Sequence, residues 1–204
     1  TRIQTSALGK RFNREWIFKE LSHRFEAGNS YAITGPNGSG KSTLLQVLWG
    51  QLPQSAGTMA YVVNDQPVSV EEVFGHVCIA APYQDLIEEF TLEEAVSFHF
   101  NLRKPRAGIT IKDVIDRMQL GHARHKQLQF FSSGMKQRVK LGLALYTEAA
   151  FVFLDEPFTN LDATAIAWYS SQLTLLKNSI IFIASNNPNE YEGATECIEI
   201  RDYK

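Results

Sequence analysis

Gly35-Pro36-Asn37-Gly38-Ser39-Gly40-Lys41-Ser42-Thr43 decides how this chain is read. It fits G-x-x-x-x-G-K-[ST], the pattern of a phosphate-binding loop. The apolar run Tyr31-Ala32-Ile33 before it reads as a buried strand, and Leu44, Leu45, Val47 and Leu48 after it recur at helical spacing. Glycines at 35, 38 and 40 let the backbone turn sharply and bring its N–H groups up to phosphate oxygens. The helix that follows aims its positive end at the same anion. Lys41 has the length to reach the outer phosphates, and the Ser42 hydroxyl suits Mg²⁺.

Upstream, residues 2–8 and 17–25 alternate apolar and polar side chains, as half-buried antiparallel strands do. Phe12 falls between them and is a candidate platform for an adenine ring, with Trp16 the alternative. Downstream, a helix over 41–49 stops before Pro53 and Gly57, and strands are expected at 58–63 and 76–81. Gln84 lies just past the second of these, where its amide could meet Mg²⁺ and a water beside a terminal phosphate.

From 86 to 131 the pattern turns helical. Thr91-Leu92-Glu93-Glu94 is a capping box opening a helix to about 102, and a second helix is expected over 110–119. Phe90, Phe98, Phe100, Phe130 and Phe131 are expected mainly in the core. Ser132-Ser133-Gly134 then starts another helix, a second anion-binding helix end in the same chain. Phe151-Val152-Phe153-Leu154 is a buried strand running into Asp155 and Glu156. A carboxylate at that strand end suits an outer contact to Mg²⁺, and the next one is placed to polarise a water. Asn160-Leu161-Asp162 turns the chain into a helix over 163–177. A further buried strand, 180–184, ends in Ser185-Asn186-Asn187-Pro188, and 194–200 reads as a last strand. The alternation after residue 29 predicts an α/β fold, a mostly parallel sheet with helices on both faces.

With 204 residues and 44% hydrophobic content, the chain can build one large domain around a substantial core. A net charge of −2 gives no bulk attraction to nucleic acid, so no nucleic-acid partner is expected. No apolar run approaches a membrane span, and the first residues carry no basic–apolar secretion signal. Cys78 and Cys197 both sit in apolar strand-like runs and are expected to be reduced core residues. The five histidines show no metal-ligand spacing.

Taken in this order, the phosphate loop, Gln84, residues 131–135, Asp155-Glu156 and Asn160-Leu161-Asp162 make the chain resemble the ATP-binding-cassette (ABC) ATPases along nearly its whole length. Its compact length resembles the small exporter ATPases, weakly the haem-exporter type of cytochrome c maturation. The resemblance implies a phosphate-loop NTPase core, an antiparallel β subdomain and an inserted α-helical subdomain. Within one ABC ATPase domain over 1–204, that assigns 1–85 and 132–204 to the β subdomain and core, and 86–131 to the helical part.

By the same resemblance, ATP and Mg²⁺ are the cofactors. Phe12 stacks on adenine. Gly35, Pro36, Asn37, Gly38, Ser39, Gly40, Lys41, Ser42 and Thr43 cradle the phosphates, with Ser132, Ser133, Gly134 and Asp162 approaching from a partner cassette. Ser42, Gln84 and Asp155 serve the metal, and Glu156, Gln84 and Asn186 the hydrolysis. The implied partners are a second copy, paired head to tail when ATP is bound, and a membrane permease on a separate chain. The implied location is cytoplasmic, peripheral at the inner face of the membrane.

Two positions depart from the family. Its signature Leu-Ser-Gly-Gly-Gln is here Phe131-Ser132-Ser133-Gly134-Met135, and its switch histidine falls on Asn186, which cannot become a cation near neutral pH. A competing role for Asn186 is to cap the loop leading to Pro188.

Overall fold

The computed structural model describes residues 1–204. Alternating side chains build an antiparallel sheet from β1 (Arg2–Phe12), β2 (Glu15–Glu26), β4 (Ala56–Val63) and β5 (Gln66–Val68), ordered β2-β1-β4-β5. β1 is irregular. Ala7 and Glu20 take positive φ, and the β1–β2 register shifts between Thr5 and Leu8, which kinks the ribbon. Phe12 closes β1 instead of lying in a loop between strands.

The unbroken apolar runs form the second sheet, entirely parallel: β6 (Val77–Ala80), β7 (Phe151–Asp155), β8 (Ile180–Ala184), β3 (Ser30–Thr34) and β9 (Glu196–Glu199), in that spatial order. Each of its buried strands feeds both faces. Phe151, Phe153, Ile180 and Phe182 point towards the antiparallel sheet and α1 (Lys41–Leu48), where the Phe153 and Phe182 rings stack 4.7 Å apart. Val152, Leu154, Ile181 and Ile183 point the other way. There they meet α2 (Leu92–Leu102), α3 (Ile111–Arg117), α4 (Ser133–Tyr146) and α5 (Ala163–Gln172).

The capping box at Thr91 forms as the sequence predicts: Thr91 Oγ1 accepts from Glu94 N, and the Glu94 carboxylate accepts from Thr91 N at 2.8 Å. Three expectations change. The helix after Asp162 ends at Gln172, and a 3₁₀ turn covers Leu173–Leu176. Cys78 is buried, but Cys197 is exposed, because β9 is an edge strand. Among the five phenylalanines, Phe100 and Phe131 are buried while Phe98 and Phe130 lie exposed on the helical side. No helix is long and apolar enough to cross a membrane.

Candidate nucleotide site

Parallel strands end on one side of their sheet, so the loops leaving β3, β6, β7 and β8 gather along a single edge. That edge carries Gly35–Thr43 after β3, Pro82-Tyr83-Gln84 after β6, Glu156 after β7 and Ser185-Asn186 after β8.

The phosphate loop has the backbone its glycines permit. Gly35, Gly38 and Gly40 have φ of 140°, 76° and 111°. A Cβ on Gly40 would sit 2.3 Å from Ile17 Cγ2, so this glycine also lets β2 press against the loop. The first helical bond of α1 runs from Leu44 N to Gly40 O at 2.8 Å. The N–H groups of Gly38, Gly40, Lys41, Ser42 and Thr43 therefore meet no protein acceptor. Lys41 is buried and folds back over the loop, its Nζ donating to Gly35 O at 2.9 Å and Pro36 O at 3.2 Å. The Ser39 hydroxyl is buried without a partner. A row of free N–H donors with a lysine at its centre fits a polyphosphate.

Asp155 ends β7 at 2% exposure, and neither carboxylate oxygen has a hydrogen-bond partner. Burial holds its carboxyl above the usual range. The nearby Ser42 hydroxyl opposes this, Glu156 reinforces it, and Lys41 and Tyr83 oppose it more weakly. A bare buried carboxylate beside a serine hydroxyl fits a hydrated Mg²⁺ that takes its remaining ligands from phosphate. No cluster of three or more His, Cys, Asp or Glu side chains forms a self-contained metal cage.

Glu156 follows in a left-handed conformation, φ 46°, strained for a residue with a side chain. Its N–H donates to Ala184 O at 2.9 Å, and Thr159 Oγ1 donates to its Oε2 at 3.5 Å. Asn186, just past the end of β8, donates from Nδ2 to Asn37 Oδ1 at 2.9 Å, so it rests directly on the phosphate loop. Capping towards Pro188 is done by Asn187, whose Oδ1 accepts from Asn189 N at 3.2 Å. This removes the competing role for Asn186.

The other predicted residues lie further out. Phe12 is 46% exposed, with Lys10 Nζ 5.0 Å from its ring centroid, so the ring is open to a planar ligand. Trp16 is half-buried over Gly9, its neighbour Ile17 touching Gly40. Ser132 caps α4, its Oγ accepting from Met135 N at 3.2 Å. Ser133 is the first residue of α4. Gly134 lies against Asn160, where a Cβ would meet the carbonyl oxygen at 2.6 Å. Asp162 caps α5 through a 2.8 Å bond from Ala165 N and sits 3.8 Å from Arg138. No hydrogen bond or ion pair joins Ser132, Ser133, Gly134 or Asp162 to the phosphate loop of the same chain.

Gln84 is not brought to the metal side. Its Oε1 accepts from Ala81 N at 3.0 Å, and the residue lines a groove with Cys78, His99 and Lys140. The side chain that reaches Asp155 belongs to Tyr83, whose hydroxyl lies beside Asp155 and Gln46; burial and then the Asp155 charge push that hydroxyl up. Sequence reasoning missed Tyr83. The available signal was an aromatic two residues beyond the Ala80-Ala81 strand end. It also missed Glu190, a buried carboxyl with an unpartnered Oε2, raised by burial and close to Ser185, Glu156 and Phe158.

A parallel sheet with a phosphate loop and a carboxylate-ended strand on one edge defines a phosphate-loop nucleotide-binding protein. The chain belongs to the ABC transporter family, whose profile matches residues 18–159. It is 29% identical over 201 residues to an uncharacterized ABC transporter ATP-binding protein of Bacillus subtilis, YcbN, covering 97% of this chain and 66% of that one. This chain thus spans just under two thirds of that relative's length. A putative ABC transporter ATP-binding protein from Pyrococcus furiosus has the same fold, with TM-score 0.83, 22% identity and 100% coverage of both chains. So does a dimeric ATP-binding cassette described as a post-hydrolysis state bound to ADP and Pi, with TM-score 0.81, 18% identity, and 97% of this chain and 94% of that one covered.

Proposed function

We propose that the chain is the ATP-binding and hydrolysing subunit of an ABC transporter, which powers a separate membrane permease from the cytoplasmic face through ATP-driven closure of a head-to-tail dimer. The observation that carries this reading is the convergence on one sheet edge of unspent loop N–H groups, Lys41, the bare Asp155 carboxylate and Glu156. Mg²⁺, when bound, would supply positive charge that offsets the charge developing on the outer phosphates. Ser42 and Asp155 would hold its hydrated form. The loop N–H groups and Lys41 hold the phosphates in line. Glu156, fixed by its bond to Ala184, orients a water and accepts its proton. Residues 86–131 are proposed as the helical subdomain, and 1–85 with 132–204 as the β subdomain and ATPase core. Steady-state phosphate release by the purified chain tests the reading. Release that saturates with ATP and needs Mg²⁺ supports it; tight ATP binding with no release at any enzyme concentration overturns the hydrolytic part.

The uncharged switch position favours slow basal turnover. Asn186 bonds to Asn37 and brings an amide donor to the phosphate loop without a positive charge. A charge-assisted hydrogen bond is about twice as strong as a neutral one. Asn186→His is therefore expected to raise turnover about five- to thirtyfold. The gain should be full below the imidazole pKa of ~6.5 and fade above it, since only the protonated ring supplies charge. Asn186→Ala should fall below wild type in turnover per folded protein. A lowered melting temperature with unchanged specific activity in the Ala variant would remove Asn186 from the site.

A further inference from the structure

We propose that Tyr83, and not Gln84, is the residue leaving β6 that acts on the Mg²⁺–nucleotide beside Ser42 and Asp155. The inference rests on reading the phosphate loop as a Mg-ATP site.

Strand register comes first. β6 pairs with β7 so that Ala80 lies opposite Leu154, and the chain leaving β6 passes directly alongside Asp155. The direction of the two side chains then separates them. Gln84 is committed elsewhere: its amide oxygen accepts from Ala81 N at 3.0 Å, its own N–H donates to Ala81 O at 3.2 Å, and it lines the groove between β6 and α4. Bringing its amide to the metal side would break the side-chain bond that Ala81 N donates to it. Tyr83 already projects the other way, its hydroxyl beside Asp155 and Gln46. Gln46 stands one helical turn after Ser42, on the same face of α1. The Tyr83 hydroxyl thus enters the space shared by the serine and the aspartate.

The chemistry differs from that of an amide. A phenol offers one proton to donate and lone pairs to accept, on a ring with only two torsions to fix. Beside Asp155, whose oxygens have no hydrogen-bond partner, it can accept from a cation-bound water. The hydroxyl makes no contribution to metal-free binding in this arrangement, since the loop N–H groups and Lys41 hold the phosphates alone. Its mark is on the gain in affinity that Mg²⁺ brings.

The test is ATP binding by calorimetry to the full chain, with Mg²⁺ and with the metal chelated. Tyr83→Phe is expected to leave metal-free affinity unchanged and to lower the Mg²⁺-dependent gain by about fivefold, the loss of one hydrogen bond. Tyr83→Gln should restore part of that gain, and Gln84→Ala should leave both affinities at wild-type values. Tyr83→Phe with an unchanged Mg²⁺ gain, or with equal loss in both conditions, overturns the inference, as does a reduced gain in Gln84→Ala. Absence of ATP binding by the wild-type chain in either condition refutes instead the underlying reading of the loop.

Discussion

Turnover of ATP should fall by about 10²- to 10⁴-fold in Glu156→Gln while Mg-ATP affinity stays at its wild-type value. Glutamine keeps the size of the side chain and an oxygen acceptor for Thr159, and leaves the backbone bond from residue 156 to Ala184 intact. The strained φ of 46° is a backbone feature that either residue adopts at similar cost. What disappears is the basic carboxylate, and with it the acceptor proposed for the proton of the attacking water. A substitution that changes only basicity should change kcat and not binding. Single-turnover phosphate release, set beside calorimetric affinity, separates the two. Wild-type rates in this variant would take the general base away from Glu156.

Lys41→Ala should weaken Mg-ATP binding at least about tenfold. Lys41 is 5% exposed, so its ammonium meets the triphosphate in a largely desolvated setting, where a hydrogen bond to a charged group is worth about 1.5–3 kcal/mol. Without nucleotide, the same ammonium is held by Gly35 O at 2.9 Å and Pro36 O at 3.2 Å. Binding therefore exchanges two neutral acceptors for anionic ones, and the alanine variant loses both sets. The melting temperature without nucleotide should drop slightly, because two loop carbonyls lose their donor. Unchanged affinity by calorimetry would sink the assignment of the phosphate loop.

What the chain showed in advance was local chemistry. The phosphate loop, the Thr91 cap and the Asp155-Glu156 strand end each sit within a few residues whose types admit one arrangement, and all three stand where periodicity placed them. What it hid was set by tertiary neighbours. Whether Tyr83 or Gln84 turns towards Asp155 depends on how the chain leaves β6, a choice settled by the bond between Gln84 and Ala81. The contact between Asn186 and Asn37 joins two loops through neighbouring strands β3 and β8, and no window of sequence contains both. Cys197 looked like a core residue because Ile198 beside it is one; only the strand order, with β9 at the edge, exposes it. Phe98 and Phe130 followed the rule that aromatics are buried until the helical face they occupy turned out to have no protein layer over it.

The second anion-binding helix end, at Ser132, makes its bonds to Met135 and none to the phosphate loop of its own chain. A site that uses both ends would take the second from another cassette, and the proposed partner is a second copy related by a twofold axis. Light scattering on Glu156→Gln at saturating Mg-ATP measures this most directly. The account predicts a shift from monomer to dimer that depends on Mg-ATP, since hydrolysis no longer reopens the pair, and a return to monomer when ADP replaces ATP. A protein that stays monomeric at high concentration, with Mg-ATP shown to be bound, would contradict it.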